Sequence, residues 1–390
     1  MERPLIGTIA VLSGLIIAAT GCTAKEGGGG TKGEIPIGIN IERSGSASVQ
    51  GEAYRKALNL MVADINRKGV LGKAIKPYYV DNRSDPAESL TVTKSLVQNH
   101  HIVALVGAGA SPTTMSIVDY LGQAHIPAVS MGSSGAIVKD PKTGATRPYL
   151  FKTPADTKQM VDVVAADWAQ RGIHRIGVLT VNNAYGDAGL AGVTARAGQD
   201  HLDVVDKEKF DPTEKDLTIE VRKITQANPD AVWVSAIPPG AGLAAQAFKQ
   251  LGYGGKVYFD AGAGAELFIN GAGKAAEGMY MVHPKILAAN QLAATTPAVI
   301  TQKQWFKEYS QKYGNYSGFA SYAADALKLI TLAIQKAHST SPAKIRDALE
   351  SLTYDGLTGT YQMTPTNHTG LQADALTIFT VRDSSWVLAR

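Results

Sequence analysis

The sequence predicts an α/β protein of two lobes, each a parallel-type sheet flanked by helices. Short apolar runs rich in β-forming residues alternate with segments of helical periodicity, which is typical of parallel sheets covered by helices. The alternation occurs twice in succession over 390 residues, a length that ordinarily divides into two domains. The last helices and β patterns are too few for a third domain. We therefore expect the lobes to share them through several chain crossings that form a hinge.

The first predicted lobe opens with four strands and three helices. In the first helix, apolar residues recur at spacings of three, four and seven, the pattern of one buried helix face. Asp85 is the predicted N-cap of the second helix, with Pro86 at its first position and Glu88 completing a capping box. The predicted strands are 35–41, 76–80, 102–106 and 126–131, and the predicted helices are 51–67, 86–98 and 112–123.

The second predicted lobe repeats this alternation, and the shared elements follow it. Helices are predicted at 157–170, 187–199, 218–227 and 242–250, and strands at 176–181, 231–236 and 256–259. The shared elements are helices at 302–312, 318–337 and 342–352 and short β segments at 359–363, 374–381 and 386–388.

The extreme N-terminus has the features of a secretory signal peptide. Arg3 precedes an apolar run over 5–19, which is shorter than the roughly 20 apolar residues of a membrane-spanning helix. The run ends in Ala-Thr-Gly-Cys at 19–22, which resembles a bacterial lipobox, although Ala19 stands where Leu is usual.

Cys22 is the only cysteine of the chain, so no intrachain disulfide can form. We expect cleavage to remove 1–21, lipid to attach to Cys22, and the Gly-rich segment 22–33 to act as a flexible tether. The mature chain is then expected to be exported and anchored to the bacterial membrane, on its periplasmic or cell-surface side. The alternative is an ordinary signal peptide with a coincidental cysteine at the cleavage point.

Composition and motifs argue against nucleic-acid binding and catalysis. The formal net charge is +4, and no Lys/Arg run or basic helix concentrates it. The glycine pattern of dinucleotide sites breaks at Pro112 and Leu267, and Ala275 follows Gly273-Lys274 where a phosphate loop has Ser or Thr. The sequence has neither G-x-S-x-G nor H-E-x-x-H. We expect no enzyme activity, no cofactor, no metal site and no nucleic-acid partner.

Two turns that follow predicted strands have the composition of an anion site. Ligands of open parallel sheets bind where loops leave the carboxyl ends of the strands. Ser111 is a predicted N-cap with Pro112 at the first helical position, which leaves the amides of Thr113 and Thr114 free at the positive helix end. The next strand delivers Gly-Ser-Ser-Gly at 132–135. Together they fit one small carboxylate; the alternative is that both are only cap and turn chemistry.

The chain resembles the periplasmic leucine/isoleucine/valine-binding protein family, the type I binding proteins of hydrophobic amino-acid importers. The resemblance extends from about Ile35 to the C-terminus, and the order and spacing of several short motifs make it specific. These motifs are Ser44-Gly45, the segment 63–72, Asp81 with Asp85-Pro86, the loop 107–114, Asn183-Ala184-Tyr185-Gly186 and Tyr322-Ala323-Ala324-Asp325-Ala326.

The resemblance implies two lobes joined by three crossovers, which capture a ligand between them and deliver it to an ABC permease. The first lobe is expected to comprise 34–153 plus 283–360, and the second 154–282 plus 361–390. We expect the protein to be a monomer. A membrane-tethered sensor that uses the same cleft is the alternative function.

The resemblance also implies roles for individual residues. Ser111, Gly132 and Ser134 would hold the ligand carboxylate on the first lobe, and Tyr185 would close from the second. Gln50 and Phe319 would border the side-chain pocket. For the two aromatic residues, Tyr185 and Phe319, packing in the core is the alternative role. The complete predicted ligand-binding set is Gln50, Ala110, Ser111, Gly132, Ser133, Ser134, Tyr185, Ile237, Asp260, Gly262 and Phe319.

One position departs from the family pattern. The amino-acid binders carry an acidic residue after the strand that ends here at Phe259, and it pairs with the ligand ammonium; the alignment puts Gly262 there. A cation brought into a closed, dry cleft needs a compensating charge. Either Asp260 supplies that charge, or the ligand lacks an amine, as an aromatic, branched or keto acid does. The apolar loop over 237–240 favours the second interpretation.

Overall fold

The computed structural model describes residues 33–389, and its first sheet has five strands that are all parallel. The strand order is β2-β1-β3-β4-β5. Apolar residues fill β1 almost completely, and its isoleucines are fully buried, because helices cover both faces of the sheet. The strands are β1 (Glu34–Ile41), β2 (Ala74–Asp81), β3 (Ala104–Val106), β4 (Ala128–Ser130) and β5 (Leu150–Lys152).

The helices of this half are α1 (Ser48–Lys68), α2 (Pro86–His100), α3 (Ser111–Met115) and α4 (Val118–Ala124). Asp85 caps α2 as predicted, because its side chain accepts the amide of Glu88 at 2.7 Å. The single helix predicted over 112–123 is wrong, since α3 and α4 are separate. The hydroxyl of Ser116 donates to the carbonyl of Thr113 at 2.9 Å, which competes with helical hydrogen bonding at the break.

The second sheet has seven strands in the order β14-β13-β10-β9-β8-β6-β7. Strand β13 is antiparallel to both of its neighbours, and the other pairs are parallel. A separate hairpin joins β11 and β12. The strands are β6 (Arg175–Val181), β7 (Asp203–Phe210), β8 (Ala231–Ser235), β9 (Lys256–Phe259), β10 (Tyr280–Pro284), β11 (Thr353–Asp355), β12 (Thr360–Gln362), β13 (Leu376–Arg382) and β14 (Ser385–Leu388).

Eight further helices follow β5, and they divide between the two sheets. Helix α5 packs against α6, β10 and β13, whereas α11 packs against α1, α12, β3 and β4. The helices are α5 (Thr157–Gln170), α6 (Ala184–Asp200), α7 (Thr218–Gln226), α8 (Gly240–Gln250), α9 (Glu266–Ala272), α10 (Pro297–Tyr313), α11 (Ala320–Ala337) and α12 (Pro342–Leu349).

The chain passes between the two halves three times, which confirms the predicted hinge. It crosses between β5 and α5, between β10 and α10, and between α12 and β13. The first and third crossings touch, because the amide of Lys152 donates to the carbonyl of His368 at 3.1 Å and the hydroxyl of Tyr361 donates to that of Thr153 at 3.0 Å. The exact lobe boundaries stay a prediction.

The predicted signal peptide, Cys22 and nearly all of the tether lie outside the described residues. Within 33–389, no helix has both the length and the apolar character that spanning a membrane requires.

Candidate ligand-binding cleft

A cavity lies between the two sheets and encloses about 890 Å³ of empty space, part of it open to solvent. Its walls include the loops that leave the carboxyl ends of β3, β4, β6, β8 and β9, where ligands of parallel sheets bind. Among the described residues, none that lines it is charged. The lining residues are Ser46, Ala47, Gln50, Tyr54, Ser84, Gly109, Ala110, Ser111, Pro112, Thr113, Met131, Gly132, Ser133, Pro154, Met160, Val181, Asn183, Tyr185, Phe210, Pro212, Ile237, Pro239, Gly240, Ala261, Gly262, Phe319 and Tyr322.

The structure brings nearly all of the predicted binding residues together. Only Ser134 and Asp260 are absent from the cavity wall, and both are buried directly behind residues that line it. The predicted residues in the wall are Gln50, Ala110, Ser111, Gly132, Ser133, Tyr185, Ile237, Gly262 and Phe319. Their part in binding stays a prediction.

The two predicted anion-site turns meet at a hydrogen bond between serines. The amide of Ser134 donates to the Oγ of Ser111 at 3.2 Å, and both residues are buried. Because Ser111 Oγ accepts this bond, its own proton remains available to an acceptor in the cavity. The first turn therefore presents the hydroxyl of Ser111 to the cavity, and the amide of Ser134 in the second turn sets its orientation.

The capping geometry predicted for the first turn is wrong. Ala110 is the N-cap of α3, and Ser111 is the first helical residue. The amide of Thr114, predicted to be free, donates to the carbonyl of Ala110 at 3.0 Å, whereas the amide of Thr113 has no acceptor among the described residues. The reason is that α3 begins one residue earlier than the serine and proline suggest.

Glu42, a residue absent from the sequence-based set, occupies much of the anion-binding capacity of this turn. Its Oε1 accepts the amides of Gly109 at 3.2 Å and Ala110 at 3.0 Å, the hydroxyl of Thr113 at 2.6 Å and the Nδ2 of Asn82 at 2.9 Å. The side chain is fully buried, and this burial raises its pKa despite the four donors. Glu42 directly follows the apolar strand β1, and a charged residue at the carboxyl end of a buried strand is the signal that identifies it.

The donors left for a ligand are fewer than predicted. The amide of Gly132 donates to the Oγ of Ser130 at 2.9 Å, so it is not available as expected. Within the described part of the chain, the amides of Ser111 and Ser133 have no acceptor. These two amides and the hydroxyls of Ser111 and Ser133 are neutral donors in the cavity wall, and we call this group the serine site.

Aromatic rings surround the remainder of the cavity. Tyr54 and Phe319 meet edge to face with ring centroids 6.2 Å apart. Sequence reasoning missed Tyr54, although it lies one helical turn beyond Gln50 on the same face of α1. It also gave no role to Tyr322, although that residue begins one of the quoted motifs. Rings and apolar side chains favour a flat or hydrophobic ligand body.

Tyr185 lines the cavity from the second half of the molecule and is bonded to a buried carboxyl group. Its hydroxyl donates to Asp260, whose Oδ1 also accepts the amide of Gly262 at 3.0 Å. Asp260 is fully buried, and its Oδ2 has no partner among the described residues. Desolvation raises the pKa of Asp260 to about 7. Asp260 therefore contacts Tyr185, which lines the cavity, but does not line the cavity itself.

The raised pKa of Asp260 predicts a pH-dependent stability. The folded state holds this proton more tightly than the unfolded state, so the contribution of Asp260 to the free energy of unfolding falls as pH rises from about 4 to about 7. The limiting slope is about 1.4 kcal/mol per pH unit. Asp260→Asn removes the titration and should gain stability relative to wild type between these pH values. Urea unfolding at several pH values measures this, and a pH-independent difference between the two proteins would contradict it.

The two halves of mostly parallel sheet, the three crossings and the cleft between them define a type I periplasmic binding protein fold. A family model described as periplasmic binding protein matches residues 34–385, and the chain belongs to that family. The Leu/Ile/Val/Thr-binding protein of Salmonella typhimurium is 25% identical over 334 residues, which cover 84% of this chain and 86% of that protein. The resemblance to leucine/isoleucine/valine-binding proteins is thus confirmed.

Solved structures show the same fold. An extracellular ligand-binding receptor from Rhodopseudomonas palustris HaA2 has a TM-score of 0.85 and 24% identity, covering 92% of this chain and 100% of that one. A solute-binding protein of an ABC transporter from Rhodopseudomonas palustris BisB5, in complex with 3,4-dihydroxybenzoic acid, has a TM-score of 0.76 and 19% identity, covering 90% and 95%. The family consists of substrate-binding proteins, which points away from catalysis.

Proposed function

We propose that this protein captures a small carboxylate without an amine, such as an aromatic or branched keto acid, and delivers it to an ABC importer. One observation carries the choice of ligand: no charged side chain is among the described residues that line the cleft. An ammonium group enclosed there would lose its hydration without gaining a counter-charge. The departure at Gly262, where the family's amino-acid binders have an acid, supports the same conclusion.

The carboxylate of the ligand would bind at the serine site. Neutral amide and hydroxyl donors bind anions well when they are oriented in advance, since the hydrogen bonds to a charged acceptor are stronger than those to a neutral one. The body of the ligand would lie among Tyr54, Phe319 and Tyr322. The relative bound to 3,4-dihydroxybenzoic acid supports an aromatic acid as one candidate.

The partner of the loaded protein would be an ABC permease in the membrane. Export and a lipid on Cys22 belong to this proposal, because a tethered protein stays close to a membrane-embedded partner and so binds it at a high effective concentration. The protein would act as a monomer that closes around its ligand about the three crossings.

The decisive experiment compares molecules that differ only in the amine. We expect 4-methyl-2-oxopentanoate or 3,4-dihydroxybenzoate to raise the melting temperature, since a ligand at ~100 times its dissociation constant stabilises the folded state by about 2.7 kcal/mol. Leucine, the amine counterpart of the keto acid, should bind at least about tenfold more weakly. Tighter binding of leucine in isothermal titration calorimetry would show the amine-free proposal to be wrong.

A further inference from the structure

A buried lysine lies directly behind the serine site. Lys152 is the last residue of β5, and its side chain is inaccessible to solvent. Its Nζ donates to the carbonyls of Ser133 and Pro154, both at 3.0 Å, and pairs with Asp156 at 2.8 Å. An ammonium group buried at this depth is rare unless it is paired and hydrogen-bonded.

The lysine and Ser111 together hold one peptide group. Lys152 binds the carbonyl of Ser133, and Ser111 Oγ accepts the amide of Ser134, which belongs to the same peptide unit. Because a peptide group is planar, holding its oxygen and its N–H sets the orientation of the whole unit. That orientation fixes one of the two peptide units that flank Ser133 in the cavity wall.

The groups buried behind the two turns also affect how strongly an anion binds in front of them. Glu42 lies behind the turn that contains Ser111 and accepts the amides of Gly109 and Ala110, so these two donors are not available to a ligand carboxylate. Lys152 places a cation behind the neighbouring turn. Burial lowers the pKa of Lys152, and the adjacent Asp156 opposes that shift and favours the charged form. The ammonium therefore lies one hydrogen bond behind the neutral donors of the site, with Asp156 as its counter-charge.

We propose that Lys152 is a positioning residue of the serine site: it orients the Ser133–Ser134 peptide and makes the site prefer an anion to a neutral ligand. The orienting role rests on the contacts alone, whereas the preference for an anion rests on the proposed function. Since the same ammonium binds Pro154 in the first crossing, Lys152 also connects the binding turn to the hinge.

The first test needs no ligand. In Lys152→Met, we expect hydrogen–deuterium exchange of the amide of Ser134 to rise at least about tenfold, because an oriented, buried bond becomes mobile. Lys158→Met is the matched control: it removes another Lys–Asp pair of i,i+4 spacing, with Asp162, on an exposed part of α5. Unchanged exchange at Ser134 in a folded Lys152→Met protein would overturn the proposal.

The second test uses 3,4-dihydroxybenzoate and its neutral amide as probes. Lys152→Met should weaken binding of the acid at least about tenfold more than binding of the amide, because loss of orientation affects both probes whereas loss of a nearby charge affects mainly the charged one. Equal losses for both would overturn the electrostatic part. If neither probe nor 4-methyl-2-oxopentanoate binds wild type, the proposed function fails, and the exchange experiment alone decides the orienting role.

A second variant covers the case in which Lys152→Met does not fold. Lys152→Gln keeps a side-chain donor without the charge. We expect it to keep the slow exchange of Ser134 while losing the preference for the acid over the amide. Fast exchange together with an intact preference for the acid would overturn both parts.

Discussion

Replacing Glu42 with alanine is expected to lower the free energy of unfolding by about 3–5 kcal/mol. The Oε1 of Glu42 accepts four hydrogen bonds in a fully buried environment. Without it, the amides of Gly109 and Ala110 lose their acceptor, and each buried unpaired donor costs about 1–3 kcal/mol before relaxation. The hydroxyl of Thr113 and the Nδ2 of Asn82 lose one of two acceptors, since they also donate to the carbonyl of Ala110 at 3.0 Å and to Asn40 Oδ1 at 2.8 Å. Because the two backbone amides belong to the turn before Ser111, ligand binding should fall as well. Urea unfolding and calorimetry measure the two effects.

A matched control lies on helix α1. Glu52 is half exposed and forms a surface ion pair with Arg55 at 2.8 Å, so Glu52→Ala should change the free energy of unfolding by at most about 1 kcal/mol. Glu42→Gln keeps an acceptor oxygen and should recover much of the loss. Equal effects of Glu42→Ala and Glu52→Ala would mean that Glu42 does not organise the turn.

Much of the fold follows from local patterns in the sequence. Buried parallel strands such as β1 are short apolar runs, and a cap such as Asp85 is a local choice of residue type, so both are predictable. Strand β7 was missed because it lies at a sheet edge and carries four consecutive charged residues, Asp206 to Lys209. Such a strand forms because β6 offers it partners, and the sequence of the segment does not contain that information.

The candidate site likewise has features that local sequence predicts and features that it does not. The meeting of the Ser111 and Ser134 turns could be predicted because each follows an apolar strand in a turn of small hydroxyl residues. The contacts of Glu42 with Gly109 span 67 residues of sequence, and the pairing of Tyr185 with Asp260 spans 75. A local sequence pattern does not indicate the distant residue with which such a group forms a hydrogen bond. Which amides remain free for a ligand therefore depends on packing that only the folded chain reveals.

Replacing Gly262 with alanine is the second change with a large expected effect. A Cβ at this position would clash with the hydroxyl of Tyr185 and would lie 2.8 Å from the carbonyl oxygen of Ala236 and 3.0 Å from Asp260 Oδ1. The carbonyl cannot move away without distorting the end of the second sheet. We expect a loss of about 1–3 kcal/mol in the free energy of unfolding, and at least about a tenfold loss in affinity for the acid that binds wild type.

Gly254→Ala is the control, because no atom lies within 4 Å of a Cβ there, and it should stay within about 0.5 kcal/mol of wild type. A double-mutant cycle with Tyr185→Phe tests the cause. If the clash involves the tyrosine hydroxyl, Gly262→Ala should cost less in the Tyr185→Phe protein, and the two losses should not add. Additive losses would place the strain at Ala236 and Asp260 instead of at the tyrosine hydroxyl.

The same geometry bears on the choice of ligand. An acidic side chain at position 262, as in the amino-acid binders, needs the space that the hydroxyl of Tyr185 occupies while it is bonded to Asp260. Gly262→Glu alone should therefore disrupt the Tyr185–Asp260 pair instead of creating leucine binding. Glycine at 262 and the buried pair behind it are one arrangement, in which the carboxyl group of Asp260 is turned away from the cavity. A gain of leucine affinity in Gly262→Glu, measured by calorimetry, would refute this linkage.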